Sequence, residues 1–234
     1  KLVKDNAVLS HDADGTCYAS FEQKGHTETW SFESKGFVDW LSFCTYQKFR
    51  KSTSDASMKV VIATLSGIAK FEGEEVRVHL RVVFHNGTYY LDLCNDAWEV
   101  VAITEMGWKI VSNSPVKFRR TKSMSALPTP VHGGDLGLLW QSTNIPPDAR
   151  GLVLAWLLEA LRADTQKPIL ELGGEQGCGK SDTQSRLRDL IDPNDVNLRT
   201  SPSKDDDIFV AAGNNWIVSY NNLSVLTKSQ QDAL

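Results

Sequence analysis

No segment of the 234-residue chain approaches the roughly 20 consecutive apolar residues that a membrane-spanning helix needs. The longest apolar stretch, "GLVLAWLLEALRA", is interrupted by Glu159 and Arg162 and reads as a core helix. The opening residues, "KLVKDNAVLSHDADG", hold no apolar run of the kind a secretory signal requires. The four cysteines, Cys17, Cys44, Cys94 and Cys178, contain no C-x-x-C pair, so neither a zinc site nor a disulfide framework is signalled. A reducing cytoplasm is the expected compartment, with no membrane partner. The five histidines are dispersed; His79 and His85 share a neighbourhood without a third ligand, and structural roles are expected. Positive charge is not in excess either. The formal net charge of −4 gives no global nucleic-acid footprint and does not exclude nucleic acid either, because a local basic stripe can sit on an acidic protein.

What is present is globular material: 41% hydrophobic residues and seven tryptophans, enough for a buried core. "TCYASFEQ" and "HTETWSF", joined by a turn at "QKG", read as a β-hairpin. "KGFVDWLSFCTYQKFR" follows at helical spacing, and "SDASMKVVIATLSGIAKFE" opens a second helix on Ser54 or Asp55 as N-cap. "EVRVHLRVVFH" alternates Val76, Val78, Leu80 and Val82 against Arg77, His79 and Arg81, which predicts a strand with the charged residues on its solvent face. Asn86-Gly87 then turns the chain into "TYYLDLC". "AWEVVAIT", a turn at Met106-Gly107, and "WKIV" complete an expected α+β domain over residues 1–122. Residues 123–148 hold four of the eight prolines together with Gly133-Gly134, the texture of a linker or docking segment.

Residues 149–234 carry the chemistry. "PILEL" has strand length and leads at once into Gly174-Glu175-Gln176-Gly177-Cys178-Gly179-Lys180-Ser181, which fits G-x-x-x-x-G-K-S, with a helical pattern after it. Gly174, Gly177 and Gly179 permit backbone angles that let successive N–H groups face phosphate oxygens. The following helix adds the positive end of its dipole. Lys180 is placed to neutralise the β- and γ-phosphates of ATP, and the Ser181 hydroxyl to ligate Mg²⁺. A ligand-free glycine turn between strand and helix is the bland alternative. An acidic residue at the end of a neighbouring strand normally holds the magnesium shell, but the candidate strand Trp216–Tyr220 ends in Asn221-Asn222. Asp205–Asp207 are expected to cap a helix instead.

"WLLEALR", "ILELGGEQGCGKS", "LRDLIDPN", "LRTSPSKDDDIFVAAGNNWIVSYNNLS" and the terminal "DAL" resemble the ATPase module of phage and mobile-element primase-helicase replication proteins, distantly similar to superfamily 3 and AAA+ helicases. "GHTETWSFESKGFVDWL", "YYLDLCNDAWEVVAIT" and "GWKIVSNSPVKFRR" resemble the region that precedes that module. The resemblance implies an incomplete α/β P-loop NTPase core and ATPase or helicase-like activity on DNA, single-stranded by expectation. It also implies a homo-oligomer, such as a hexamer, in the full-length protein. Lys180, with the Walker B position Asn221 and its neighbour Asn222, would form the catalytic set. Two departures are plain: the family carries Asp-Asn where this chain has Asn221-Asn222, and Thr where it has Asp182. The family's core also continues past "DAL", so an ATPase cut short inside a helix at Leu234 is expected, with little turnover of its own. A non-hydrolysing nucleotide switch or assembly module is the other reading, favoured by Asn221. Finally, "VKFRRTK" places Lys117, Arg119, Arg120 and Lys122 around Phe118. It reads either as a nucleic-acid contact with Phe118 stacking on a base or as a solvated edge strand.

Overall fold

The computed structural model describes residues 2–223 and 226–233. Ser224, in the segment that ends "NNLS", and the expected helical end at Leu234 lie outside them. Two compact units result: residues 1–79, 96–100 and 111–122 form the first, and residues 80–95, 101–110 and 123–234 the second. Residues 80–95 and 101–110, expected with the first region, thus cluster with the second.

The first unit is a four-stranded sheet backed by two helices. Its strands are β1 (Val8–His11), β2 (Cys17–Gln23), β3 (His26–Ser31) and β4 (Glu74–Glu75), in the order β3-β2-β1-β4. The hairpin read from "QKG" forms, with Gln23 opposite His26 and both Lys24 and Gly25 at positive φ. That is the backbone twist a tight hairpin needs. β1 was not foreseen; its flanks are polar, yet its Leu9 is buried and pairs with Ala19. α1 (Lys35–Phe49) starts where the Ser34 hydroxyl accepts from the Phe37 amide, a cap worth about 1 kcal/mol. α2 (Asp55–Glu72) starts likewise at Ser54. Phe37 and Leu41 on α1, with Met58, Leu65 and Ala69 on α2, cover Cys17, Ala19 and Phe21, the alternate residues of β2. Phe21 stacks on Trp40 at 4.2 Å and Phe37 on Phe32 at 4.5 Å between ring centroids.

The continuous strand expected over "EVRVHLRVVFH" does not form. It breaks into β4, β5 (Val78–His79) and β6 (Val82–His85). Arg81 is the reason: it sits at φ 50, outside strand geometry, and is fully buried rather than on a solvent face. A strand's alternation pattern says nothing about a cation that has a buried partner elsewhere in the chain.

In the second unit, β6, β7 (Thr88–Asp92), β8 (Val100–Thr104) and β9 (Gly107–Val111) follow one another in a meander. Asn86-Gly87 takes positive φ at both positions, as the hairpin signal requires. α3 (Leu136–Ser142) lies inside the segment read as a linker. α4 (Arg150–Ala160), α5 (Lys180–Asp189), α6 (Asp205–Asn214) and α7 (Lys228–Asp232) follow. α4 and α5 share a core of Ile145, Val153, Leu157, Ala160, Leu187 and Ile191. The expected strands at Pro168–Leu172 and Trp216–Tyr220 are not formed among the described residues. The first finds no ladder partner, and the second makes only an isolated parallel bridge from Tyr220 to Arg199. A strand needs a neighbour, and apolar composition alone does not supply one. No helix among the described residues is long and apolar enough to cross a membrane.

Candidate phosphate-loop site

The turn at 174–179 is built on glycine. Gly174, Gly177 and Gly179 take φ values of 155, 82 and 78, all positive. A Cβ at Gly174 would also lie 2.9 Å from Cys178 Sγ, so a side chain here would have to displace that thiol. Gly179 then caps α5, and the first N–H groups of that helix lack intrahelical acceptors by construction. The turn is braced from outside. Asn144 donates through Nδ2 to the Cys178 carbonyl (2.7 Å), and its backbone N–H donates to Thr183 Oγ1 (3.1 Å). Asn144 sits in the proline-rich segment and carries no motif, which is why sequence reading missed it.

Lys180 opens α5, and its ammonium folds back over the turn. Nζ donates to the carbonyl oxygens of Gly174 (2.8 Å) and Glu175 (2.6 Å) and lies 3.5 Å from Cys178 Sγ. Gln176 is exposed at the tip. Asp182 pairs with Arg186 one helical turn on at 2.9 Å.

Ser181 meets the position where the strand-end acid was expected. Its hydroxyl donates to Asn221 Oδ1 at 2.9 Å, so Ser181 and Asn221 are brought together although 40 residues separate them. Two further contacts hold the Asn221 segment in place: Gln184 Nε2 donates to the Tyr220 carbonyl (2.9 Å), and the Asn221 amide to the Arg199 carbonyl (2.8 Å). Asn222 is exposed at φ 56, a left-handed conformation Asn tolerates. The arrangement thus offers one ammonium, a helix N-terminus and a hydroxyl whose proton is taken by a neutral amide, leaving the oxygen's lone pairs for a cation. Its donors suit a polyphosphate, and the Ser181 hydroxyl is held by an amide rather than a carboxylate. Among the described residues, no cluster of three or more His, Cys, Asp or Glu side chains is placed to hold a metal. Asp205–Asp207 open α6, where Asp207 accepts from the Ser203 and Lys204 amides, the capping role expected of them.

Beneath the helix lies a buried polar hub that sequence reading did not find. Asp192 is fully buried and accepts from Arg81 Nε (3.0 Å) and from the Trp216 and Ile217 amides (3.0 Å each). Arg188, also buried, approaches the same carboxylate at 3.8 Å and donates to Asn215 Oδ1 at 3.1 Å. Burial lowers the Arg188 guanidinium below its ordinary pKa, and Asp192 acts against that shift. The hub ties the end of α5 to residues 215–217, and hence fixes the chain that runs on to Asn221.

The basic segment lies in the first unit and is not a free cationic stripe. Lys117 and Phe118 form β10 (Lys117–Phe118), parallel to β5. Phe118 is buried against His79, so it does not stack on a base, which corrects that expectation. Burial lowers the Lys117 pKa, partly opposed by Glu74. The Arg120 guanidinium lies 3.9 Å from the Trp98 ring centroid. Lys122 is exposed.

Residues 137–234 match the model of a family described as the actinomycete integrative conjugative element replication protein. The matched span includes Asn144, the glycine turn, Asp192 and Asn221, and it supports a replication protein of a mobile element. No curated protein and no solved structure matches the chain.

Proposed function

We propose that the chain is part of an ATP-driven DNA-replication protein of a mobile element. In this reading the Gly174–Ser181 turn holds the triphosphate and the second unit is part of an α/β P-loop NTPase core. The observation that carries the reading is the Ser181–Asn221 hydrogen bond beside the Lys180 ammonium. It joins, across 40 residues, the two positions that a nucleotide-hydrolysing core needs together. Lys180 and the first amides of α5 would bind phosphate oxygens, and Ser181 would ligate Mg²⁺. When bound, Mg²⁺-ATP supplies the phosphoryl group whose hydrolysis powers work on DNA. The chain's own part is to orient that group and to exchange the ammonium's contacts with Gly174 and Glu175 for contacts with phosphate. The arginine that completes such sites would come from outside this chain, from a neighbouring subunit of a homo-oligomer.

Asn221 favours a second reading, a nucleotide-binding switch that does not hydrolyse. An amide brings no negative charge to Mg²⁺, and such charge in a dry site is worth several kcal/mol. Titration with a fluorescent ATP analogue and Mg²⁺ tests the shared part: Lys180→Ala should weaken binding at least about tenfold, the loss of one charge-assisted contact. Equal binding by the variant overturns both readings. Steady-state turnover with and without single-stranded DNA then separates them. Under the first, Asn221→Asp in the full-length protein raises turnover; under the second, turnover stays at background in either form.

A further inference from the structure

We propose that the C-terminal half of α1 and the loop after it form a docking surface for single-stranded DNA. Phe37 and Leu41 face the core, but Phe43, Tyr46 and Phe49 are 58%, 50% and 58% exposed. These three rings recur every third residue, about 4.5 Å apart along the helix axis, on a stripe outside the face that Phe37 and Leu41 bury. Folding explains none of them. Between the rings and just past them stand Lys48, Arg50 and Lys51, all exposed. Residues 40–54 contain no Asp or Glu, so this stretch carries three positive charges in a chain of net charge −4. Among the described residues no ion pair engages Lys48, Arg50 or Lys51. The Arg50 guanidinium instead lies 5.7 Å from the Tyr46 ring centroid, extending the aromatic surface with a cationic edge.

Single-stranded nucleic acid is the partner that uses both features. Its bases stack on exposed rings without regard to sequence, and its phosphates meet the cations. A duplex hides its base faces and can use only the charges. The partial negative charge at the end of α1 opposes a phosphate, and Asp39 and Asp55 bound the patch on either side. The three cations therefore set the sign locally, and the opening of α2 after Ser54 adds a positive helix end. The inference rests on the replication reading only in choosing DNA over RNA; it does not require the glycine turn to bind nucleotide.

Fluorescence anisotropy of a labelled oligo-dT, titrated with the whole chain at several salt concentrations, tests it. Phe43→Ala with Tyr46→Ala should weaken binding at least about tenfold, since each base–ring stack is worth about 1–3 kcal/mol. Lys48→Gln, Arg50→Asn and Lys51→Gln together should flatten the log–log salt slope by about two units; Asn is used because Arg50 sits at φ 53. All five positions are exposed, and circular dichroism checks that the variants fold. Mg²⁺-ATP binding by these variants should match the parent chain, so a failure here is distinct from a failure of the nucleotide reading. Affinity unchanged in the ring variants overturns the proposal, as does duplex DNA or oligo-rU bound more tightly than oligo-dT. So does a loss seen only in binding to anionic lipid vesicles, or only in self-association by light scattering.

Discussion

In the first unit the enclosed side chains include Phe37, Leu41 and Ala69, whereas in the second they include Arg81, Arg188 and Asp192. The first interior is held by area and shape: stacked rings and aliphatic groups, each buried side chain contributing about 1.5–3 kcal/mol with little directional demand. The second has apolar clusters too, but they are small, and a carboxylate with two guanidiniums and two backbone amides around it fixes how its segments meet. Such a hub tolerates no vacancy. Removing one partner leaves the others buried and uncompensated, and that penalty exceeds what the intact pair contributes.

The contrast can be broken most directly at Asp192. Asp192→Ala should destabilise the second unit by about 3–5 kcal/mol in urea denaturation, and Asp192→Asn should recover little of that despite its matching shape. If the Asn variant unfolds within about 1 kcal/mol of the parent, the hub is held by hydrogen bonding and its charges are incidental. The matching test in the first unit is Leu41→Met, a change of shape at constant polarity that should cost less than about 1.5 kcal/mol by the same measurement. Tyr18 sharpens the comparison through pH. Its phenol is pushed up to about 12 from 10.0, first by burial and then by its bond to Asp12. The folded chain therefore keeps this proton to higher pH than the unfolded chain does. That stabilisation is fully present below pH 10.0 and is lost as pH rises through about 12. Tyr18→Phe should accordingly unfold with a shallower alkaline limb over that window. The smallest effect is expected at Gln184→Ala, which removes one bond to the Tyr220 carbonyl: about 0.5–1.5 kcal/mol of stability, read as faster amide exchange around Tyr220.

What was legible in the sequence was local. Ser54 marked a helix start, Lys24-Gly25 and Asn86-Gly87 marked hairpins, and Asp205–Asp207 marked a cap, because each signal acts within four residues of itself. The glycine turn at 174–179 and the helix opening at Lys180 were legible for the same reason. Asn144, Arg81 and Asp192 were not, since each acts through a partner tens of residues away and has no pattern of its own. The same limit explains Pro168–Leu172 and Trp216–Tyr220. Both are composed like strands, but whether they become strands depends on neighbours that composition does not reveal. Phe118 shows the converse: its basic flanks suggested an open surface, and the fold buried it.

Arg81 finally bears on how the protein can be cut. The chain passes between the units at 79/80, 95/96, 100/101, 110/111 and 122/123, so no single cleavage releases either one whole. A fragment starting at residue 123 or 137 keeps the glycine turn, Asp192 and Asn221, and looks self-sufficient as text. It would nonetheless enclose the Asp192 carboxylate without the guanidinium that lies 3.0 Å from it. Dissection guided by the matched span alone should therefore yield insoluble protein.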